Sequence, residues 1–227
     1  MNILTAKELR RTYSDRGVPV GAVNGVSLSV EEGSFTAVIG KSGSGKTTLL
    51  RLLSGLDRPD QGTVQIDGQD IHRMGRREQA AFRRRRIGFV FQDYSLLPEL
   101  TAAENILLPL LLDGRRGDEE RLRDLAGMLG LDAALHRRPR QLSGGEQQRT
   151  AIARALIASP AIVFADEPTG NLDAAAGQDV MTLLQASQRA LGQTVVLVTH
   201  DMDLARRADR ILTLSDGRIV SEEVGTL

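Results

Sequence analysis

Apolar residues follow two spacings along this chain. Near its start they fall at every second position: Val26, Leu28 and Val30 predict a strand over residues 23–30, and residues 4–13 read as another. Glu31-Glu32-Gly33 turns the chain into an unbroken apolar run, 35–39, that reads as a buried strand. Residues 63–66 and 69–71 flank Asp67-Gly68, a pair favoured in tight hairpin turns. A charged helix is predicted over 75–86, then a short buried strand over 87–91 ending at Gln92.

Beyond Gln92 the pattern changes. Apolar stretches at 96–97 and 107–112 are interrupted by proline, Leu122, Leu125 and Leu129 have helical spacing within 118–129, and 133–140 is a basic connector. Residues 92–158 therefore read as a helical lobe. After it the chain alternates: strand 161–165, helix 174–191, strand 194–199, helix 203–208, strand 211–214, the turn Asp216-Gly217 and a last strand at 218–220. Such alternation predicts an α/β fold with a mainly parallel sheet, which presents ligands at the carboxyl ends of its strands.

Composition narrows the function classes. The 227 residues hold 29 Lys plus Arg against 29 Asp plus Glu, a net charge of zero, which argues against a general nucleic-acid binder. Arg76, Arg77 and the arginines at 83–86 accordingly read as a solvated helix face. With no Cys and no Trp, neither a disulfide framework nor an aromatic platform for single strands is expected. No signal peptide is read at the start and no apolar run is long enough to span a bilayer, so a membrane role is expected only through a partner.

The stretch GKSGSGKTT follows the buried run 35–39 and opens a helix-like segment at 47–53, the context a P-loop requires. Gly40, Gly43 and Gly45 leave backbone N–H groups bare for phosphate oxygens, with Lys41, Ser42, Ser44 and Thr48 completing the loop. Lys46 can reach the β- and γ-phosphates, and the Thr47 hydroxyl can bind Mg²⁺. Strand 161–165 runs into Asp166-Glu167-Pro168, two adjacent acids that are costly unless charge awaits them. Because successive strand side chains point opposite ways, Asp166 is expected to support Mg²⁺ and Glu167 to serve as general base on the attacking water. In LSGGEQQR, Ser143 and Glu146 form a capping box, but a cap does not need Gly144-Gly145; bare glycines there suit a second phosphate-contacting surface. Gln92 and His200 each end a buried strand.

In order and spacing these motifs resemble those of ABC transporter nucleotide-binding subunits over essentially the whole chain. GKSGSGKTT resembles Walker A, Phe91-Gln92 the Q-loop, LSGGEQQR the signature, IVFADEP the Walker B, Asn171-Leu172-Asp173 the D-loop and His200 the switch histidine. The resemblance implies a single P-loop NTPase domain, 1–227. Its α/β core and antiparallel β-subdomain would come from 1–91 and 159–227, with an inserted helical subdomain at 92–158. It also implies that Gln92 and His200 act in catalysis with Lys46 and Glu167, that Gln92 joins Thr47 and Asp166 around Mg²⁺, and that Tyr13 stacks on adenine. ATP would lie between one chain's P-loop and the Ser143, Gly144, Gly145 and Glu146 segment of a second copy. That homodimer would drive a membrane permease from the cytoplasmic face. FVFQDYSLLPELTAAENILLPLLLDG and ADEPTGNLDA resemble the macrolide-exporter, lipoprotein-release and cell-division group, and LLDG with QTVVLVTHD the bacitracin-type peptide transporters. A cell-division role, or a soluble ABC ATPase of DNA repair or translation, stands as the alternative.

Overall fold

A computed structural model describes residues 1–15 and 18–225. In chain order it contains strands β1 (Asn2–Asp15), β2 (Val18–Glu31) and β3 (Phe35–Ile39), helix α1 (Lys46–Leu53), strands β4 (Gln61–Ile66) and β5 (Gln69–Asp70), helix α2 (Arg76–Arg86) and strand β6 (Ile87–Val90). Helices α3 (Ala102–Leu112), α4 (Glu119–Leu129) and α5 (Gly144–Leu156) come next, followed by β7 (Ile162–Asp166), α6 (Ala174–Leu191), β8 (Thr194–Thr199), the one-turn α7 (Met202–Ala205), β9 (Arg210–Ser215) and β10 (Arg218–Val224). The chain divides into two compact units, Met1–Ala80 with Thr194–Leu227, and Ala81–Gln193.

The first unit holds an antiparallel sheet in the order β2-β1-β4-β5 and, separately, the strands β10-β9-β3-β8. In the antiparallel sheet Leu4 pairs with Val30 on one side and Ile66 on the other, and all three are fully buried. Strands β1 and β2 extend beyond 4–13 and 23–30. Their ends, Ser14 and Val18 to Gly21, are exposed and held by cross-strand pairing instead of burial, so no apolar alternation announces them. Between β4 and β5, Asp67 (φ 52°) and Gly68 (φ 73°) take the left-handed pair of a tight hairpin turn. Every residue of β3 and of β8 is buried, as strands in a parallel stack require.

In the second unit β6 and β7 run parallel, Val90 beside Ala165, among the helices α3 to α6. Proline does not interrupt the apolar stretch here: α3 continues through Pro109. It starts at a capping box in which Thr101 accepts from the Glu104 N–H and Glu104 reaches back to the Thr101 N–H. Fully buried Asn105 anchors the preceding connector, accepting from the Leu97 N–H (2.8 Å) and donating to the Leu97, Leu100 and Thr101 carbonyls. Asp118 caps α4 and left-handed Gly130 ends it. Two arginines of α2 lie against Asp113, Arg85 at 2.8 Å and Arg84 at 3.7 Å.

His72, just after β5, fixes the far end of the P-loop helix: its Nε2 lies 2.9 Å from the Leu52 carbonyl. Burial pushes its pKa below the usual value, although the Leu52 hydrogen bond opposes the shift, and Nδ1 is buried without a partner. The ring is therefore neutral, with Nε2–H donating. A depressed histidine pKa means that the unfolded chain takes up the proton first. Stability is therefore expected to fall as pH drops below about 6.5, until the folded form protonates as well. Thermal melting from pH 7.5 to 5 in wild type and His72→Gln should show a smaller loss in the variant; parallel curves would contradict a neutral His72.

Candidate nucleotide-binding and catalytic site

The site residues occupy both compact units. In the first, β3 runs parallel to β8 and β9, with Ile39 beside Thr199 and Thr213. The P-loop leaves β3 at Gly40 and His200 leaves β8 at the same, carboxyl edge. Exposed His200 sits between two fixed residues. The Asp201 N–H donates to the Thr199 hydroxyl (3.0 Å), and the Asp201 carboxylate caps α7 through the Asp203 and Leu204 N–H groups.

The loop is pressed from outside by backbone. A Cβ on Gly40 would collide with the Leu214 carbonyl, and one on Gly45 (φ 99°) with the Ala22 carbonyl. The Gly217 N–H donates to the Ser44 carbonyl (3.0 Å), while the Gly217 carbonyl accepts from the Asn24 N–H (2.8 Å). These two glycines are thus required by packing around the loop as much as by the phosphate cradle. Helix α1 begins after Gly45 with no side-chain cap, the arrangement that leaves first-turn N–H groups for an anion.

Lys46 is only 6% exposed, and its ammonium donates to the Gly40 (2.8 Å) and Lys41 (3.1 Å) carbonyls of the loop itself. The Ser44 hydroxyl is buried and has no partner. A buried cation resting on loop carbonyls beside an unsatisfied hydroxyl fits a phosphate-binding loop. Lys41, Ser42 and Gly43 are exposed; Thr47 and Thr48 are half-buried in the first turn of α1. Tyr13 donates its hydroxyl to Asp57 (2.6 Å), and Arg11 lies 4.8 Å over its ring while also pairing with Asp57 and Asp60. Burial works against the Asp57 charge, but Tyr13, the Arg58 N–H and Arg11 outweigh it and hold the carboxyl below its ordinary range. Asp57 was not legible as a support of Tyr13, because no spacing rule pairs residues so far apart.

In the second unit, Gln92 follows β6 and Asp166 ends the adjacent parallel strand β7. Exposed Gln92 accepts at its carbonyl from the Asn171 amide (2.8 Å). Glu167 is not part of the strand. Its φ is 46°, so a left-handed turn directs it and strand alternation does not; Pro168 disfavours the right-handed helical conformation at the residue before it. The Gly170 N–H closes that turn onto the Glu167 carbonyl (3.0 Å). Ser143 caps α5 by accepting from the Glu146 N–H (3.2 Å), while Glu146 accepts from both the Ser143 N–H (2.8 Å) and hydroxyl (2.9 Å). The Ser143 N–H and hydroxyl hold the Glu146 carboxyl below its ordinary range, with help from Arg137 and Arg149.

Among the described residues no group of three or more His, Cys, Asp or Glu could hold a metal. Of the residues expected to hold Mg²⁺, Thr47 lies in the first unit and Gln92 and Asp166 in the second; a hydroxyl, an amide oxygen and a carboxylate are each donor types that Mg²⁺ takes.

A family model described as ABC transporter matches residues 23–170. The chain belongs to the ABC transporter family. As an ABC-type ATPase it is 47% identical to the ABC transporter ATP-binding protein YxdL of Bacillus subtilis, over 97% of this chain and 86% of that one. It is 45% identical to the macrolide export ATP-binding/permease protein MacB of Syntrophobacter fumaroxidans, over 98% of this chain; it spans only 32% of that relative's length. Among solved structures it resembles a dimeric post-hydrolysis state of the ATP-binding cassette MJ0796 bound to ADP and Pi. The TM-score is 0.90 and the identity 40%, covering 99% of both chains.

Gly45→Ala tests the backbone clamp. The added methyl meets the Ala22 carbonyl in a backbone conformation that L side chains avoid. The variant is expected to lose about 1–3 kcal/mol of stability and most nucleotide affinity. A purified variant with wild-type melting and ATP binding would show that the clamp does not constrain the loop.

Proposed function

We propose that this ABC-type ATPase is the ATP-hydrolysing subunit of a transporter, working as a homodimer that closes on two ATP molecules and reopens after hydrolysis. The observation that carries the reading is the P-loop itself, with buried Lys46 resting on loop carbonyls and the Ser44 hydroxyl left without a partner. End-to-end likeness to a cassette solved as a dimer with ADP and Pi supports it.

In this reading the backbone from Gly40 to Gly45 and the first turn of α1 hold the phosphates. Lys46 leaves its loop carbonyls for the β- and γ-phosphate oxygens, and Tyr13 offers the ring face away from Arg11 to adenine. Thr47, Asp166 and Gln92 would hold Mg²⁺, which when bound would neutralise phosphate charge. Glu167 takes the proton of the water that attacks the γ-phosphorus, the bond to the β–γ bridging oxygen breaks, and ADP and phosphate result. His200 and Gln92 assist that transfer. Ser143, Gly144 and Gly145 contact the partner's nucleotide, with Glu146 supporting Ser143 through the cap.

YxdL is named as an ATP-binding protein and MacB as an ATP-binding/permease protein. The MacB name, which joins an ATP-binding part to a permease for macrolide export, supports a permease as the device that this ATPase drives from the cytoplasmic face; antimicrobial-peptide, macrolide or lipoprotein-related cargo is the reading for this group. No helix among the described residues is long and apolar enough to cross a membrane. Contact with the bilayer is therefore assigned to the permease.

Two variants test the chemistry. Lys46→Ala should nearly abolish MgATP hydrolysis. Glu167→Gln should keep ATP binding while turnover falls by about 10²–10⁴, the usual worth of a general base. Wild-type turnover in either purified variant would sink its assignment. The connector after Gln92 tests the coupling. Leu97 is 44% exposed, and only its backbone is held by Asn105. Leu97→Asp should leave the subunit folded and able to bind ATP but unable to co-purify with the permease. An intact complex, or an unfolded subunit, would remove this segment from the permease contact.

A further inference from the structure

The turn after Gln92 is strained and unusually well held. Tyr94 (φ 62°) and Ser95 (φ 47°) are consecutive non-glycine residues in the left-handed region. Arg154 binds the carbonyls of both, donating from Nη1 to Ser95 (2.6 Å) and from Nη2 to Tyr94 (2.8 Å). Arg154 belongs to α5, the unbroken helix that starts behind Ser143, and about three turns separate the two residues. Burial lowers the Arg154 pKa, opposed by the charge of Asp93 beside the turn.

The same turn reaches the other end of α5. The Tyr94 hydroxyl donates to the Asn171 carbonyl (3.4 Å) and lies so near Gly144 that a Cβ there would stand 3.2 Å from it and 3.1 Å from Leu172 Cδ2. Asn171 in turn donates to the Gln92 carbonyl (2.8 Å). A Cβ on Gly170 would come within 2.8 Å of Gln92 Nε2. Gln92, Asn171, Tyr94, Arg154 and α5 are thus linked in a ring by hydrogen bonds and close approaches.

We propose that Tyr94 and Arg154 are positioning residues that couple the two nucleotide sites of the dimer. This rests on the reading above, in which Gln92 serves the chain's own ATP while Ser143 to Gly145 serve the partner's. The ring then lies between the two nucleotides inside each chain. A displacement of Gln92 at one site passes through the Tyr94–Ser95 carbonyls and the Arg154 fork to α5, and so to the segment facing the other site.

ATPase rate against ATP concentration tests the inference in wild type, Arg154→Lys and Tyr94→Phe. Lysine keeps the charge but loses the fork that engages two carbonyls at once. With two coupled sites the wild-type Hill coefficient should lie between about 1.5 and 2, and in Arg154→Lys it should fall to about 1. Tyr94→Phe, which removes only a hydroxyl, should lower it partway. A merely structural role would scale the curve or the melting temperature without changing the curve's shape. Sigmoidal kinetics retained in both variants would overturn the coupling and leave the dimer intact. A wild-type Hill coefficient of 1 in a protein that sizes as a dimer with ATP would overturn the coupling alone, whereas a protein that stays monomeric with ATP would overturn the dimer reading. If Arg154→Lys does not fold, Tyr94→Phe decides.

Discussion

The P-loop keeps its shape because neighbouring backbone leaves it no alternative. Two carbonyl oxygens, from Ala22 in β2 and Leu214 in β9, stand where side chains at Gly45 and Gly40 would have to be. The Asp216-Gly217 turn adds a hydrogen bond to Ser44 and is itself tied to Asn24 of β2. Segments far apart in the chain thereby fix a loop with little side-chain packing of its own. Lys46 completes the arrangement by placing its charge on two loop carbonyls. A loop whose backbone is assembled before phosphate arrives leaves only the Lys46 side chain to move, and fixed backbone dipoles are the condition under which charge is stabilised best.

The reactive residues follow from the same constraint. Strands β3, β7 and β8 are buried almost throughout, so solvent-accessible residues begin only at their carboxyl ends: Gly40 with the loop, Asp166 with Glu167, and His200. Backbone strain collects after strands β6 and β7. Glu167, Tyr94 and Ser95 all take left-handed conformations as non-glycine residues. Each is held by neighbours: the Gly170 N–H closes the turn at Glu167, and Arg154 grips the carbonyls of Tyr94 and Ser95.

Legibility in the sequence tracked how local each signal is. Helix α6, from Ala174 to Leu191, coincides with its predicted limits because apolar period, cap Asp173 and following Gly192 are all local, and strand β8, from Thr194 to Thr199, because its apolar run is continuous. The ends of β1 and β2 were not legible, because pairing across the sheet holds exposed residues there. The apolar stretch 107–112 reads as interrupted by proline, yet α3 runs from Ala102 through Pro109 to Leu112, behind a capping box that Thr101 and Glu104 spell in the sequence. The residue types of the site were visible as motifs. Their supports were not: Asp57 under Tyr13 and Arg154 under Tyr94 are pairings set by the fold, and no spacing rule anticipates them. Glu167 shows the limit of periodicity most directly, since alternation ends where the strand ends, one residue earlier.

The start of α5 shows how one group can serve structure while tempering function. A helix N-terminus attracts anions through its first N–H groups and its dipole. Here an anion is already present: Glu146 lies one turn in, bound by the N–H and hydroxyl of Ser143 and held charged by them. A phosphate brought by a second chain would meet a helix end already partly neutralised, and the Ser143 hydroxyl would have to divide its bonds between Glu146 and the newcomer. The segment would therefore hold nucleotide weakly by itself and strongly only together with the P-loop of the other chain. That balance suits a dimer that must open again in every cycle, because a surface binding phosphate tightly alone would keep its products and stay closed.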